Sequence, residues 1–488
     1  MKAIIGIYIG ALQKGTMMSL AKEIESRGDG FVFILKDSNV EAVVRKGFPS
    51  LSSDKIIVLD KLDCDLPKNI TQECVLREER YDVTISTLMS FDRGLGKGYL
   101  LNAPGHPNII KSWFSKKDKY AFFLKDMLIW ESLIDNVKLN TIIGMAIPVI
   151  AEVVLKARDV KIYVLTPPRF GSLYRWTINY REESPALTRS IMAHVASLSE
   201  LEEVAPAHTK LEKSKFSEYF FNKLNYGYRS AIIDFLKRIF IESIQYLKGN
   251  HDRFGKGYSF LGWNGVILRV PYIYNYLCKK GKKPSDLDDS KVLLFPLQME
   301  PEASLMKITP ELSNSAEVIT WISKCLPADY CLVVKEQPTA FGIRNKKYYD
   351  NFLRMSNVVI AHPDVSVDEW LDKSTIVSSL TSSMAFEAVI KNKPVLSFGK
   401  HQVINHLPSV VYCDNFNSTK LALSKVFKML ETDSNIFHIS NIALNKGFND
   451  VCFDISGYEK KFESINIDMD MAKKSIDNLA DNYPEYND

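Results

Sequence analysis

Residues 378–399, SSLTSSMAFEAVIKNKPVLSFG, are the stretch best equipped for chemistry. They read as a short strand, a Ser/Thr-rich turn and a helix, with Ser382 or Ser383 as the expected N-cap and Glu387 in the first turn. A helix start carries unpaired N–H groups and the positive end of the dipole, a combination suited to a diphosphate. Ser383 and Glu387 are four apart and share one face, about 6 Å along the axis at about 1.5 Å per residue. That offset is comparable to the distance from a nucleotide phosphate to its ribose hydroxyls, so Glu387 would accept from the ribose while the turn holds phosphate. The same spacing also fits a capped helix with a solvent-facing glutamate.

Three further clusters point to the same rim. Residues 333–344, VVKEQPTAFGIR, read as a buried strand ending in Lys335 and Glu336. The carboxyl edge of a parallel sheet is where doubly wound folds bind ligands. Lys335 or Arg344 would neutralise a phosphate there; alternatively, Lys335 and Glu336 form a surface ion pair worth under about 1 kcal/mol. In FPLQMEPEASL, residues 295–305, Gln298, Glu300 and Glu302 follow another strand and are expected at the rim, outside the core. His362 follows a strand at 357–361. Four strand ends would thus bring polar groups together.

The elements that must carry these residues are legible as alternating patterns. Residues 3–9 are a continuous apolar run suited to a strand covered on both faces, and helical spacing follows at 16–27 before Gly28 and Gly30 introduce a strand at 31–35. Further strands are expected at 55–59, 82–88, 141–145 and 161–165, with helices at 122–137 and 147–157. A second series starts at 292: strands 292–296, 330–335, 357–361, 375–378 and 394–398 alternate with helices 315–325, 346–355, 367–373 and 382–391. Such alternation predicts parallel α/β sheets. The chain divides as an N-terminal Rossmann-like domain at 1–210, a basic aromatic helical insertion at 211–290, a second Rossmann-like domain at 291–440, and a C-terminal helical segment with an acidic tail at 441–488.

The chain has 488 residues, 46% hydrophobic and 25% charged, with a formal net charge of +4. Those fractions are of an ordinary globular chain of two or three units and exclude disorder, collagen and small disulfide scaffolds. The seven cysteines are scattered and form no C-x-x-C, which fits a reducing, cytoplasmic compartment. The N-terminal apolar run reads as a first strand and not as a signal peptide, and no stretch approaches the roughly 18 to 20 apolar residues of a membrane span.

In order and spacing, FPLQMEPEASL, KEQPTAFGIR, a tyrosine-rich helix, NVVIAHP and STIVSSLTSSMAFEAVIKNKPVLSFGK resemble the capsule polysaccharide biosynthesis family, relatives of the bacterial capsule Kdo transferases, over about residues 292–402. The family usually reads K-E-H-P where this chain has Gln337, and a glycine where it has Phe386. The resemblance implies a GT-B glycosyltransferase: two Rossmann-like domains facing across a cleft, acceptor on the first and nucleotide-sugar donor on the second. It implies Lys335, Glu336, Ser382, Ser383 and Glu387 as donor-site positions, with Gln298 and Glu302 near the transferred sugar. The expected reaction moves a sugar from a CMP-, UDP- or GDP-linked donor to a growing or lipid-linked bacterial surface glycan, with no other cofactor. A polyol-phosphate transferase, a sugar-nucleotide epimerase or a non-catalytic polysaccharide-binding subunit are the alternatives.

Such transfer needs a base or nucleophile near the acceptor. Asp92, expected just past the strand at 82–88, and Glu152 are the candidates, with Arg93 placed to hold an acidic acceptor. No metal is expected, because the D-x-D pairs Asp63/Asp65, Asp286/Asp288 and Asp468/Asp470 fall outside both sheets and read as solvated acids. A leaving diphosphate would be stabilised by helix dipoles and cations instead. Residues 210–284 hold fifteen basic and five acidic residues interleaved with aromatics. This composition suits peripheral contact with the inner face of the cytoplasmic membrane, or a packed insertion, and no nucleic-acid reading module accompanies it.

Overall fold

The computed structural model describes residues 4–10, 14–91, 116–167, 173–201, 227–247, 260–300, 302–312, 314–432, 435–454 and 467–486. Two α/β units divide the chain. One comprises Met1–Met89, Phe114–His194 and Asn445–Asp488, the other Ser90–Trp113 and Val195–Leu444.

The first unit's strands are β1 (Ile4–Ile9), β2 (Gly30–Leu35), β3 (Ile56–Val58), β4 (Leu139–Gly144), β5 (Lys161–Thr166) and β6 (Leu173–Thr177). The second unit's strands are β7 (Lys291–Pro296), β8 (Tyr330–Lys335), β9 (Val358–Ile360), β10 (Ile376–Ser379), β11 (Val395–Ser397) and β12 (Val410–Tyr412); β13 (Phe453–Asp454) returns to the first. The two sheet orders are β13-β6-β5-β4-β1-β2-β3 and β12-β11-β10-β7-β8-β9. Both bear out the expected pair of Rossmann-like folds.

In the first sheet β1 pairs in parallel with β2 and β4. Its apolar run IIGIYI is buried from Ile5 onward, as a strand covered on both faces must be. The far edge is antiparallel: β5 pairs with β6, and β6 with β13. The C-terminal residues stay on this unit, where Trp176 Nε1 donates to the Ser475 carbonyl at 2.9 Å and the Asp468 N–H to Ser19 Oγ at 2.9 Å. Helix α1 (Lys14–Ser26) follows β1 with Met17, Leu20, Ala21 and Ile24 buried.

One expected strand is absent. Residues 82–88 form a left-handed turn and a short helix, α2 (Ile85–Ser90). Asp82, at φ 49, ends the preceding helix Ile70–Tyr81, a conformation that short polar side chains tolerate best. The Glu78 carboxylate then accepts the Ile85 N–H at 2.7 Å, and Thr84 Oγ1 that of Thr87 at 3.1 Å. Ile85, Leu88 and Met89 recur at helical spacing and are all buried. Helices α3 (Lys116–Val137) and α4 (Val149–Lys156) then flank β4 in sequence, as expected.

In the second unit α5 (Tyr228–Leu247) and α6 (Phe260–Lys280) pack against each other. Its sheet is parallel throughout. Strands β7 and β8 run in register from Lys291 opposite Tyr330 to Pro296 opposite Lys335. Leu293, Phe295, Leu332 and Val334 join Ile319, Tyr349 and Val426 in the core. Helices α7 (Ser315–Cys325), α8 (Lys346–Phe352), α9 (Val367–Lys373) and α10 (Met384–Ile390) follow β7, β8, β9 and β10. The chain builds outward from β7 through β8 to β9, then crosses over to β10 and continues through β11 to β12. The order therefore reverses between β7 and β10.

Candidate functional site

The carboxyl ends of β7 and β10 lie side by side at this reversal, the place where open α/β sheets leave a crevice for ligands. Gln298, just past β7, and Thr381, just past β10, bridge it: Thr381 Oγ1 donates to Gln298 Oε1 at 3.0 Å. Sequence reading named Gln298 but missed Thr381, which only strand order makes its neighbour.

The turn after β10 is built from its own hydroxyls. The Ser382 N–H donates to Ser379 Oγ at 2.8 Å, and Ser382 Oγ accepts the Met384 N–H at 3.2 Å. The Ala385 N–H reaches the Ser382 carbonyl and the Phe386 N–H the Ser383 carbonyl. The helix start thus differs from the expectation of open N–H groups: α10 has seven residues and a tight first turn that satisfies those donors internally. Ser383 occupies the N-cap position, is exposed, and makes no capping bond. Glu387 is half-buried in the first turn. Gly399 shapes this turn from outside it, since a Cβ there would lie 2.3 Å from the Leu380 carbonyl oxygen and 2.4 Å from Gln402 Nε2. Gln402 Nε2 in turn donates to the Leu380 carbonyl at 2.6 Å and so ties the loop after β11 to the loop after β10.

Beneath the crevice lies a buried charge network that departs from expectation. Arg344 is 1% exposed, and its Nη1 donates to both Glu336 oxygens at 2.9 Å. Its Nη2 donates to Glu300 Oε2 at 3.1 Å and to the Gln298 carbonyl. The two ends of the planar guanidinium fork thus each meet a different carboxylate, so Arg344 is committed to protein carboxylates and does not act as the expected phosphate ligand. Burial alone would lower its pKa, but the pull of Glu336, with Tyr348 and Glu300 behind it, holds it well above the ordinary value. Glu300, expected at the rim, is 2% exposed and also accepts the Ser315 N–H at 2.8 Å. Glu336 is completed by the Tyr349 hydroxyl at 2.6 Å and the Gln337 N–H at 2.9 Å. It pairs with Arg344, and not with Lys335 on the surface.

Lys335 takes a different path. It is 5% exposed, and its Nζ donates to the Val365 carbonyl at 2.7 Å. Burial pushes its ammonium down to about 8 against the attraction of Glu369, Asp364 and Glu336. It holds the loop after β9, where His362 is half-buried and its Nδ1 accepts the Asp364 N–H at 3.3 Å. Glu302 is the half-buried N-cap residue of the helix Ala303–Ile308 and makes no side-chain capping bond there.

In the first unit, Glu152 is 4% exposed in α4, and its Oε2 accepts the Tyr180 N–H at 2.5 Å across to the loop after β6. Asp92 and Arg93 lie outside the described residues, and the strand expected to deliver them is α2. Acids of the D-x-D pairs have local roles: Asp63 pairs with Lys125 at 3.1 Å, Asp286 caps the Lys283 N–H at 2.9 Å, and Asp468 caps the helix Met469–Asn482. Among the described residues no helix is long and apolar enough to cross a membrane.

A family model matches the segment that carries the crevice. Residues 175–402 match the family model "Capsule polysaccharide biosynthesis protein". No curated protein matches the chain. Matching solved structures include Thermosulfurimonas dismutans KpsC, a beta Kdo 2,7 transferase, at 14% identity over 64% of this chain and 89% of that one, TM-score 0.28. They also include the S. aureus MnaA-UDP co-structure at 12% identity over 98% and 96%, TM-score 0.28. The UDP-GlcNAc 2-epimerase from Neisseria meningitidis bound to UDP-GlcNAc matches at 9% over 99% and 100%, TM-score 0.24. The matched segment, residues 175–402, contains the motifs around β7, β8 and β10 and is similar to the capsule polysaccharide biosynthesis family.

Proposed function

We propose that the chain is a glycosyltransferase that moves a sugar from a nucleotide-sugar donor to a bacterial surface glycan. One observation supports this reading above the others: in the segment matching the capsule family, the strand order reverses where Gln298 and Thr381 join the ends of β7 and β10. The donor would lie over this crevice with its diphosphate toward the Ser383 hydroxyl, its ribose toward Glu387, and its sugar toward Gln298 and Glu302. Charge developing on the leaving diphosphate would meet the Ser383 hydroxyl, held at the start of α10 by a turn whose own backbone donors are already satisfied. Arg344, Glu300 and Glu336 hold the floor in place and touch no substrate. Titrating CMP-, UDP- and GDP-sugars by calorimetry tests the reading. One class should bind, and Glu387→Ala should weaken that binding by about 1–3 kcal/mol, the range for losing hydrogen bonds to a charged partner. No binding by any class, or unchanged affinity in the variant, would remove this crevice as the donor site. Product analysis then separates transfer or slow hydrolysis from epimerisation.

A lipid-linked acceptor on an anionic bilayer fits the face of α5. Tyr228, Ile232, Leu236 and Phe240 recur at i, i+4 spacing and are 49–67% exposed, while Ala231 is buried. Arg229, Lys237 and Arg238 are exposed on the same helix. Apolar residues beside cations suit a helix lying in an anionic interface. Sedimentation with anionic vesicles should weaken with salt and fall when Leu236 and Phe240 are both changed to Ser; equal sedimentation with neutral vesicles, or none, returns α5 to a packed insertion.

A further inference from the structure

Cys278, His362 and Asp364 are remote in sequence and come together in the second unit, with one donor atom from each within 4.8 Å of the others. Cys278 stands in the last turn of α6, whose end is laid along the end of β9. There the Lys282 N–H donates to the Ile360 carbonyl at 2.8 Å and the His362 N–H to the Lys282 carbonyl at 2.7 Å. Gly281 permits the approach, since a Cβ at that position would lie 2.6 Å from the Leu277 carbonyl oxygen and 2.7 Å from His362 Cα. The Tyr274 hydroxyl, one turn before Cys278, orients the carboxylate by donating to Asp364 Oδ1 at 2.8 Å. The carboxyl end of a helix is the negative end of its dipole and favours a cation in its last turn.

We propose that Cys278, His362 and Asp364 bind a divalent ion of the zinc type, with a fourth position left for water. Thiolate, imidazole and carboxylate together form a zinc-type donor set, and calcium or magnesium would call for oxygen ligands alone. Zinc bonds of about 2.0–2.3 Å place tetrahedral donors roughly 3.3–3.8 Å apart, so the three side chains must close by about an ångström. Asp364 is exposed, and Cys278 and His362 are half-buried, which leaves them room to do so. The His362 ring nitrogen that now receives the long 3.3 Å contact from the Asp364 amide would bind the ion instead. Bound metal would clip the end of α6 to the edge strand of the sheet. The proposal does not depend on the glycosyltransferase reading.

The test uses full-length protein freed of metal by chelator. Titrated Co2+ should bind at one equivalent with a thiolate-to-cobalt charge-transfer band and tetrahedral d–d bands, and Zn2+ should raise Tm. Cys278→Ser should remove the charge-transfer band, and His362→Gln and Asp364→Asn should each weaken binding about tenfold or more. Circular dichroism checks the fold, and Asp364→Asn, at an exposed position, keeps the test open if the other variants misfold. A wild-type protein without the charge-transfer band, or variants that bind as wild type does, would overturn the proposal.

Discussion

Replacing Arg344 by Met removes the one guanidinium that holds Glu336, Glu300 and the Gln298 carbonyl together beneath the crevice. Counted singly, the charge-assisted bonds at about 1.5–3 kcal/mol each would give a loss well above 5 kcal/mol. That sum double-counts, because the same desolvation penalty underlies each bond. Measured losses for breaking a buried ion pair, about 3–5 kcal/mol, are the better guide, and most of the loss is the cost of leaving carboxylates 2% and 4% exposed without a counter-charge. At about 2–3 kcal/mol per molar urea, the unfolding midpoint of the second unit should fall by about 1–2 M. Tryptophan fluorescence can follow it, since Trp370 is fully buried in that unit. The triple variant Arg344→Met, Glu300→Gln, Glu336→Gln removes the orphaned charge and should recover at least half of the loss. Arg344→Lys should fall between, because an ammonium cannot fork to two carboxylates. A midpoint change below about 0.3 M in Arg344→Met, or a triple variant as unstable as the single one, would refute the argument.

Lys335 predicts a pH signature. Its folded-state pKa, near 8, lies below the ordinary 10.5, so the unfolded chain binds more protons between those values and stability should rise with pH across that window, by up to about 3 kcal/mol. Unfolding curves from pH 8 to 10.5 should show the rise in wild type and a flatter profile in Lys335→Met; parallel profiles would contradict it. Gly399→Ala should displace the Leu380 carbonyl or Gln402 and weaken nucleotide-sugar binding more than it lowers Tm, a split readable by calorimetry beside a thermal melt. Thr381→Val leaves the buried Gln298 amide oxygen without its 3.0 Å donor and should cost about 1–3 kcal/mol in stability, measured by urea unfolding; an unchanged midpoint would show that the bridge does not hold the two strand ends together.

Much of the second unit was legible because its signals are local. The helices Ser315–Cys325 and Val367–Lys373 and the strand Tyr330–Lys335 lie where periodicity and caps put them, and Ser366 with Glu369 forms the capping box that starts one of them. Residues 82–88 show where such signals run out: the same apolar residues satisfy either period, and the choice fell to a left-handed Asp82 and to a Glu78 carboxylate seven residues from the amide it accepts. The motifs flanking β7, β8 and β10 named Gln298, Glu336, Ser382, Ser383 and Glu387 without any structure. Their division of labour was not legible. Whether Arg344 meets a phosphate or two carboxylates depends on which strand ends are neighbours, and strand order is set by long-range pairing that leaves no local trace. Sequence by itself determined the alternating elements, the polar strand ends and the capsule-family motifs, because helix and strand periods and turn chemistry act over a few residues. Tertiary structure alone decided that β7 lies between β8 and β10, that Thr381 joins Gln298, that Glu300 and Glu336 are buried around Arg344, and that Cys278 meets His362 and Asp364, because each is a contact between segments whose separation in the chain carries no information about their distance in space.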